Sequence, residues 1–72
     1  MAKTIYTKEH SQLTKKLKNA RLKAGLSQIE ASKKIDRSQS YVSKIESGQL
    51  RIDIIQLKEL AKVYKKDINY FI

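Results

Sequence analysis

Apolar residues recur along this chain at helical spacing, and polar or glycine punctuation separates the runs. Leu13, Leu17, Ala20 and Ala24 follow one another at intervals of four, three and four, which lines them on one helix face. Thr7 is placed to cap this first helix, and Gly25 supplies the left-handed residue that commonly ends one. Ser27 then caps a second helix of about seven residues, with Glu30 three positions on completing a capping-box pattern. Its apolar members are Ile29, Ala31 and Ile35. Asp36 and Arg37 form a turn, and Ser38 caps a third helix that ends at Glu46 or Ser47 before Gly48. Asp53 caps a fourth, where Ile54, Leu57, Ala61 and Tyr64 hold the spacing and Leu60 widens the stripe. Asp67 is placed to cap a last short turn carrying Ile68, Phe71 and Ile72. The pattern predicts an all-α fold, a compact bundle of five short helices over residues 7–72, with residues 1–6 as an arm outside it.

Composition narrows what such a bundle does. No proline and two glycines among 72 residues fit helices with few interruptions. One domain is all the length allows, and a chain this short buries only roughly 60% of its unfolded surface. Small folds often gain stability from disulfides, metal or a partner chain. With no cysteine and one histidine, His10, disulfides are excluded, no metal or other cofactor is expected, and self-association is the device that remains. No apolar run approaches the roughly 20 residues a membrane span requires, and the start lacks a signal-peptide core. A cytoplasmic protein is therefore expected.

Charge points to the partner. Sixteen Lys and Arg against seven Asp and Glu give a net +9, which favours a polyanion, nucleic acid being the commonest. A solvated lysine-rich surface would look the same by composition alone, so the third helix has to decide. At about 100° per residue, Val42 and Ile45 lie on one side of it, and Gln39, Ser40, Ser43 and Lys44 on the other. These are residue types that read bases: Gln pairs bidentately with adenine, Lys donates to guanine, Ser serves either. Ser38, Gln39 and Ser40 occupy the N-terminal end, the end that a DNA-reading helix leads with.

The two helices and turn from Leu26 to Gly48 resemble the helix-turn-helix of the phage repressor and Cro family, also called the XRE family, with a lambda repressor-like fold. The strongest pieces are Gly25-Leu26-Ser27-Gln28, Ser43-Lys44-Ile45-Glu46-Ser47-Gly48, and Leu57 with Leu60-Ala61; together the resemblance covers about Leu13 to Phe71. It implies a double-stranded DNA partner, with bases read by Ser38, Gln39, Ser40, Ser43 and Lys44. Phosphate contacts are implied at Arg21, Ser27, Gln28, Arg37, Tyr41, Ser47 and Arg51. Arg21 and Glu46 match a pair that forms a structural salt bridge in several phage repressors, so Arg21 has two implied roles. Where the family's turn usually has glycine this chain has Asp36, which implies positive φ there. Ala31 stands for a usual leucine, Ser32 for a usual alanine and Arg37 for a small apolar residue. The volume lost at Ala31 falls to Tyr41 or Ile29 to fill.

Family members usually bind as two-fold dimers. The apolar surplus of the C-terminal third includes Ile52, Ile55, Tyr70, Phe71 and Ile72, which either form an isologous interface or complete a small core. The expected function is transcriptional regulation, most simply repression from an inverted-repeat operator. The alternative is a protein-interaction module, an antitoxin or adaptor, whose protein partner docks on the C-terminal apolar surface and for which Gln39 and Lys44 are dispensable. An enzyme is not expected: His10 stands next to Glu9, and adjacent helical residues do not face each other. Ending at Ile72, the chain reads equally as a whole small regulator or as the DNA-binding module of a longer one.

Overall fold

A computed structural model describes residues 8–72; the expected arm over 1–6 and the cap at Thr7 lie outside the described residues. Four α-helices follow in order: α1 (Lys8–Lys23), α2 (Gln28–Lys34), α3 (Gln39–Glu46) and α4 (Ile54–Val63). The expected fifth helix is a single 3-10 turn, Ile68–Tyr70. Three residues supply only tight i→i+3 bonds, here Tyr70 N–H to Asp67 O at 2.9 Å and Phe71 N–H to Ile68 O at 3.0 Å.

Each helix after α1 starts on a residue whose short side chain accepts a backbone N–H. Ser27, Ser38, Asp53 and Asp67 cap α2, α3, α4 and the 3-10 turn. The box at α2 is complete: Ser27 Oγ accepts from Glu30 N–H at 3.0 Å, and Glu30 Oε1 accepts from Ser27 N–H at 2.8 Å. Hydrogen bonding to the carboxylate, first from the Ser27 backbone N–H and then from the Ser27 side chain, holds the Glu30 carboxyl below its usual pKa range. Asp53 and Gln56 form a second such box, unmarked by the Ser/Thr and Glu pattern.

All four helices end the same way. A residue at positive φ follows each one: Gly25 (77°), Asp36 (58°), Gly48 (85°) and Lys65 (60°). The next amide reaches back five residues, from Leu26 to Arg21 O, Arg37 to Ser32 O, Gln49 to Lys44 O and Lys66 to Ala61 O. This is the Schellman arrangement, and it satisfies carbonyls that the helix leaves without partners. Asp36 thus holds the left-handed conformation expected of it. Lys65 pays a steric penalty of roughly 1–2 kcal/mol for the same geometry.

The core gathers Leu17 and Ala20 from α1, Ala31 from α2, Ile45 from α3, and Leu57, Leu60, Ala61 and Tyr64 from α4 and its cap, closed by Phe71. Ala20 and Ala31 are fully buried; such small side chains let helix backbones approach closely. Tyr41 packs against this cluster, whereas Ile29 is about half exposed. Of the two neighbours expected to fill the space beside Ala31, Tyr41 is the one the fold turns inward. Burial also raises the Tyr64 hydroxyl to a pKa of about 12, with the negative charge of Glu46 adding to the effect.

Candidate nucleic-acid interface

α2 and α3 make the most extensive helix–helix packing in the fold, joined by the turn at Asp36. Burial of Val42 and Ile45 sets the rotation of α3. Gln39, Ser40, Ser43 and Lys44 consequently face solvent, with Ser38 at the exposed N-cap. No acidic side chain interrupts that face. Ser27, Arg37, Ser47 and Arg51 are also exposed, and Gln28 and Tyr41 are half-buried. Arg37 lies over the Tyr41 ring, 5.1 Å from its centroid. That stacking fixes a cation beside the first turn of α3, and partial burial raises the pKa of the phenol against the opposing charge of Arg37.

Behind the face is a buried ion pair. Arg21 Nε donates to Glu46 Oε2 at 2.6 Å and Nη2 to Oε1 at 3.1 Å, a bidentate union of α1 with the end of α3. Arg21 Nη1 also donates to Leu26 O at 2.8 Å, so one side chain ties both helices to the α1–α2 turn. The two side chains are 7% and 5% exposed. Hydrogen bonding to Glu46 raises the Arg21 pKa further above its ordinary value. With three N–H groups committed and so little surface, Arg21 is placed as a brace. The phosphate contact expected of it finds little guanidinium to meet.

Gln28 connects this brace to the exposed face, a link that sequence reasoning missed. Its Nε2 donates to Glu46 Oε1 at 3.1 Å, and its Oε1 accepts from Gln39 Nε2 at 3.4 Å. Gln49 was missed as well. Its Nε2 donates to Ser47 Oγ at 3.0 Å, while the Ser47 hydroxyl donates to Lys44 O at 3.2 Å. The Ser47 proton is therefore spent, and at this corner Gln49 is the amide with an N–H still to give. Its position straight after Gly48 was the available clue.

The apolar surplus of the C-terminal third divides in two. Phe71 is 4% exposed and belongs to the core, with Tyr70 against it edge-to-face at 5.0 Å. Ile52 is partly buried against the same cluster. Of the two outcomes left open for these residues, Phe71 takes the core, because the 3-10 turn aims it between the helices. Ile55 and Ile72 remain 68% and 76% exposed, and Ile54 joins them.

A shallow cleft between the α2–α3 turn and α4 is lined by Lys34, Ile35, Asp36, Glu59, Lys62 and Val63; it contains none of the expected DNA-contacting residues. Among the described residues no helix is long and apolar enough to cross a membrane. The sequence pattern of the helix-turn-helix family matches residues 17–71. Comparison with curated proteins finds no match.

Proposed function

Since the chain belongs to the XRE-type helix-turn-helix family of DNA-binding regulators, we propose that it represses transcription by occupying an inverted-repeat operator as a two-fold dimer. α3 enters the major groove with its N-terminal end leading, and each half-site receives one copy. Gln39 is the principal base reader, with Ser38, Ser40, Ser43 and Lys44 beside it. Ser27, Gln28, Arg37, Tyr41, Ser47, Gln49 and Arg51 surround it on the side where phosphates would run. The observation that carries this reading is the exposed, acid-free polar face of α3, held from behind by the Arg21–Glu46 pair.

Binding to a randomised duplex pool, followed by selection and sequencing, tests it. The wild type is expected to enrich an inverted repeat with half-sites about one helical turn apart. Gln39→Ala should relax one position in each half-site, at a cost of roughly 1–3 kcal/mol. Salt-sensitive binding with no enriched sequence would reduce the +9 charge to general polyanion affinity. The exposed Ile54, Ile55 and Ile72 favour a second reading in that event, a module whose protein partner covers this surface.

A further inference from the structure

A chain of polar side chains runs from the buried ion pair to the outer face of α3, and its hydrogen-bond directions are fixed at one end. Glu46 accepts from Arg21 Nε and Nη2 and from Gln28 Nε2. An ionised carboxylate has no proton to give, so every group facing it must donate. The Gln28 amide therefore turns its NH₂ toward Glu46 and its carbonyl toward α3. That carbonyl requires a donor in turn, and Gln39 Nε2 provides it at 3.4 Å. What Gln39 has left to present outward is its carbonyl oxygen and one N–H. One acceptor beside one donor is the complement of adenine, whose N6–H₂ donates and whose N7 accepts. Turned over, the same amide would present two N–H groups, the complement of the two guanine acceptors N7 and O6.

We propose that Glu46 is a specificity-determining positioning residue: it sets the polarity of the Gln28 amide, and through it the polarity of Gln39, so that Gln39 selects adenine. Glu46 acts at two removes from the base. This rests on the reading of Gln39 as a base-contacting residue, and deepens it. Nothing at position 39 itself distinguishes the two orientations of its amide, because an amide's oxygen and nitrogen have nearly the same shape. The discrimination comes from a charge buried behind the helix.

Glu46→Gln is the direct test, since it keeps the shape and adds a donor. The new carbonyl keeps the shorter bond, from Arg21 Nε at 2.6 Å. The new NH₂ takes the place of Oε1, giving up the 3.1 Å bond from Arg21 Nη2 and facing Gln28, whose amide inverts; Gln39 inverts in response. In the randomised-pool experiment the wild type should prefer adenine at the Gln39 position by at least about fivefold. Glu46→Gln should lose that preference and gain guanine there, with other positions unchanged. Gln28→Leu cuts the relay while leaving the Arg21–Glu46 pair intact. It too should lose the adenine preference, and adding Glu46→Gln to it should alter no base preference further. An adenine preference retained in either single variant overturns the proposal, as does a Glu46→Gln effect that persists undiminished in the Gln28→Leu background.

Should Glu46→Gln fail to fold, Gln28→Leu and the wild-type protein still decide the matter. In the free wild type, nuclear Overhauser contacts should place the Gln28 amide protons beside the Glu46 γ-methylene; the same protons beside Gln39 would overturn it. A wild type that enriches no sequence defeats the base-reading assignment, and this proposal with it. A wild type that enriches an operator left unchanged by Glu46→Gln defeats this proposal alone.

Discussion

The polar seam joining α1, α2 and α3 and the apolar surface around α4 are built on opposite principles. In the seam, charged and amide side chains find partners within the chain, and Arg21 and Glu46 are almost fully buried. Around α4 and the closing turn, large apolar side chains at Ile54, Ile55 and Ile72 stand in solvent. A buried ion pair gains little net stability over an apolar pair of the same shape, yet it tolerates only one arrangement of its partners. An apolar face gains roughly 25 cal/mol for each Å² it covers and dictates far less about geometry. The first kind of construction suits a helix that must hold an orientation. The second suits a surface that must associate.

Removing Arg21 is the most severe way to break the seam. Arg21→Ala leaves the Glu46 carboxylate buried with its main partner gone, and Leu26 O without a donor. The expected loss is about 3–5 kcal/mol, read from urea unfolding of the variant against the wild type. In a fold of this size that is a drop of at least about 10 °C in Tm. Loss of DNA binding with an unmoved unfolding midpoint would instead make Arg21 a phosphate ligand, and the seam would cease to be a brace.

Tyr64 joins the two regions, since it caps α4 and feels both Glu46 and Arg21. Its hydroxyl ionises at a pKa of about 12 in the folded chain against about 10 when exposed. Below pH 10 it is neutral in both states, and its contribution is fully present. As pH rises through the interval from 10 to 12 the unfolded chain loses the proton first, so stability falls. The component amounts to about 2 kcal/mol by pH 12. Tyr64→Phe should behave like the wild type near pH 7 and show a shallower alkaline loss. Identical alkaline curves for the two proteins would mean that burial in the fold does not hold the Tyr64 proton.

The two regions also differed in how readable they were. Helix starts were legible because Ser27, Ser38 and Asp53 cap through local chemistry that needs no tertiary contact. Asp36 at positive φ was legible, since Asp tolerates that region and follows a helical run. Lys65 in the same conformation was not, because lysine carries no left-handed signature. The Gln28–Glu46 bond spans 18 residues and depends on how α2 crosses α3, which periodicity does not encode. Apolar surplus in the C-terminal third was visible, but its division was not: Phe71 and Ile72 are neighbours in sequence, and one 3-10 turn sends the first inward and the second out.

The gentlest perturbation separates association from folding. Ile55 is 68% exposed on the first turn of α4, so Ile55→Asp removes little buried surface within one chain. An acid there is also favourable to the helix, whose N-terminal end carries partial positive charge. The unfolding free energy of the dilute protein should consequently stay within about 0.5 kcal/mol of the wild type. Covering that side chain against a second copy is another matter, for a carboxylate enclosed at an interface without a partner is strongly disfavoured. Sedimentation across a concentration series should show the wild type associating and Ile55→Asp remaining monomeric, with binding lost more on a two-half-site duplex than on a single half-site. Equal association by both proteins would move the contact away from Ile55, and would leave this face of α4 to a partner of another kind.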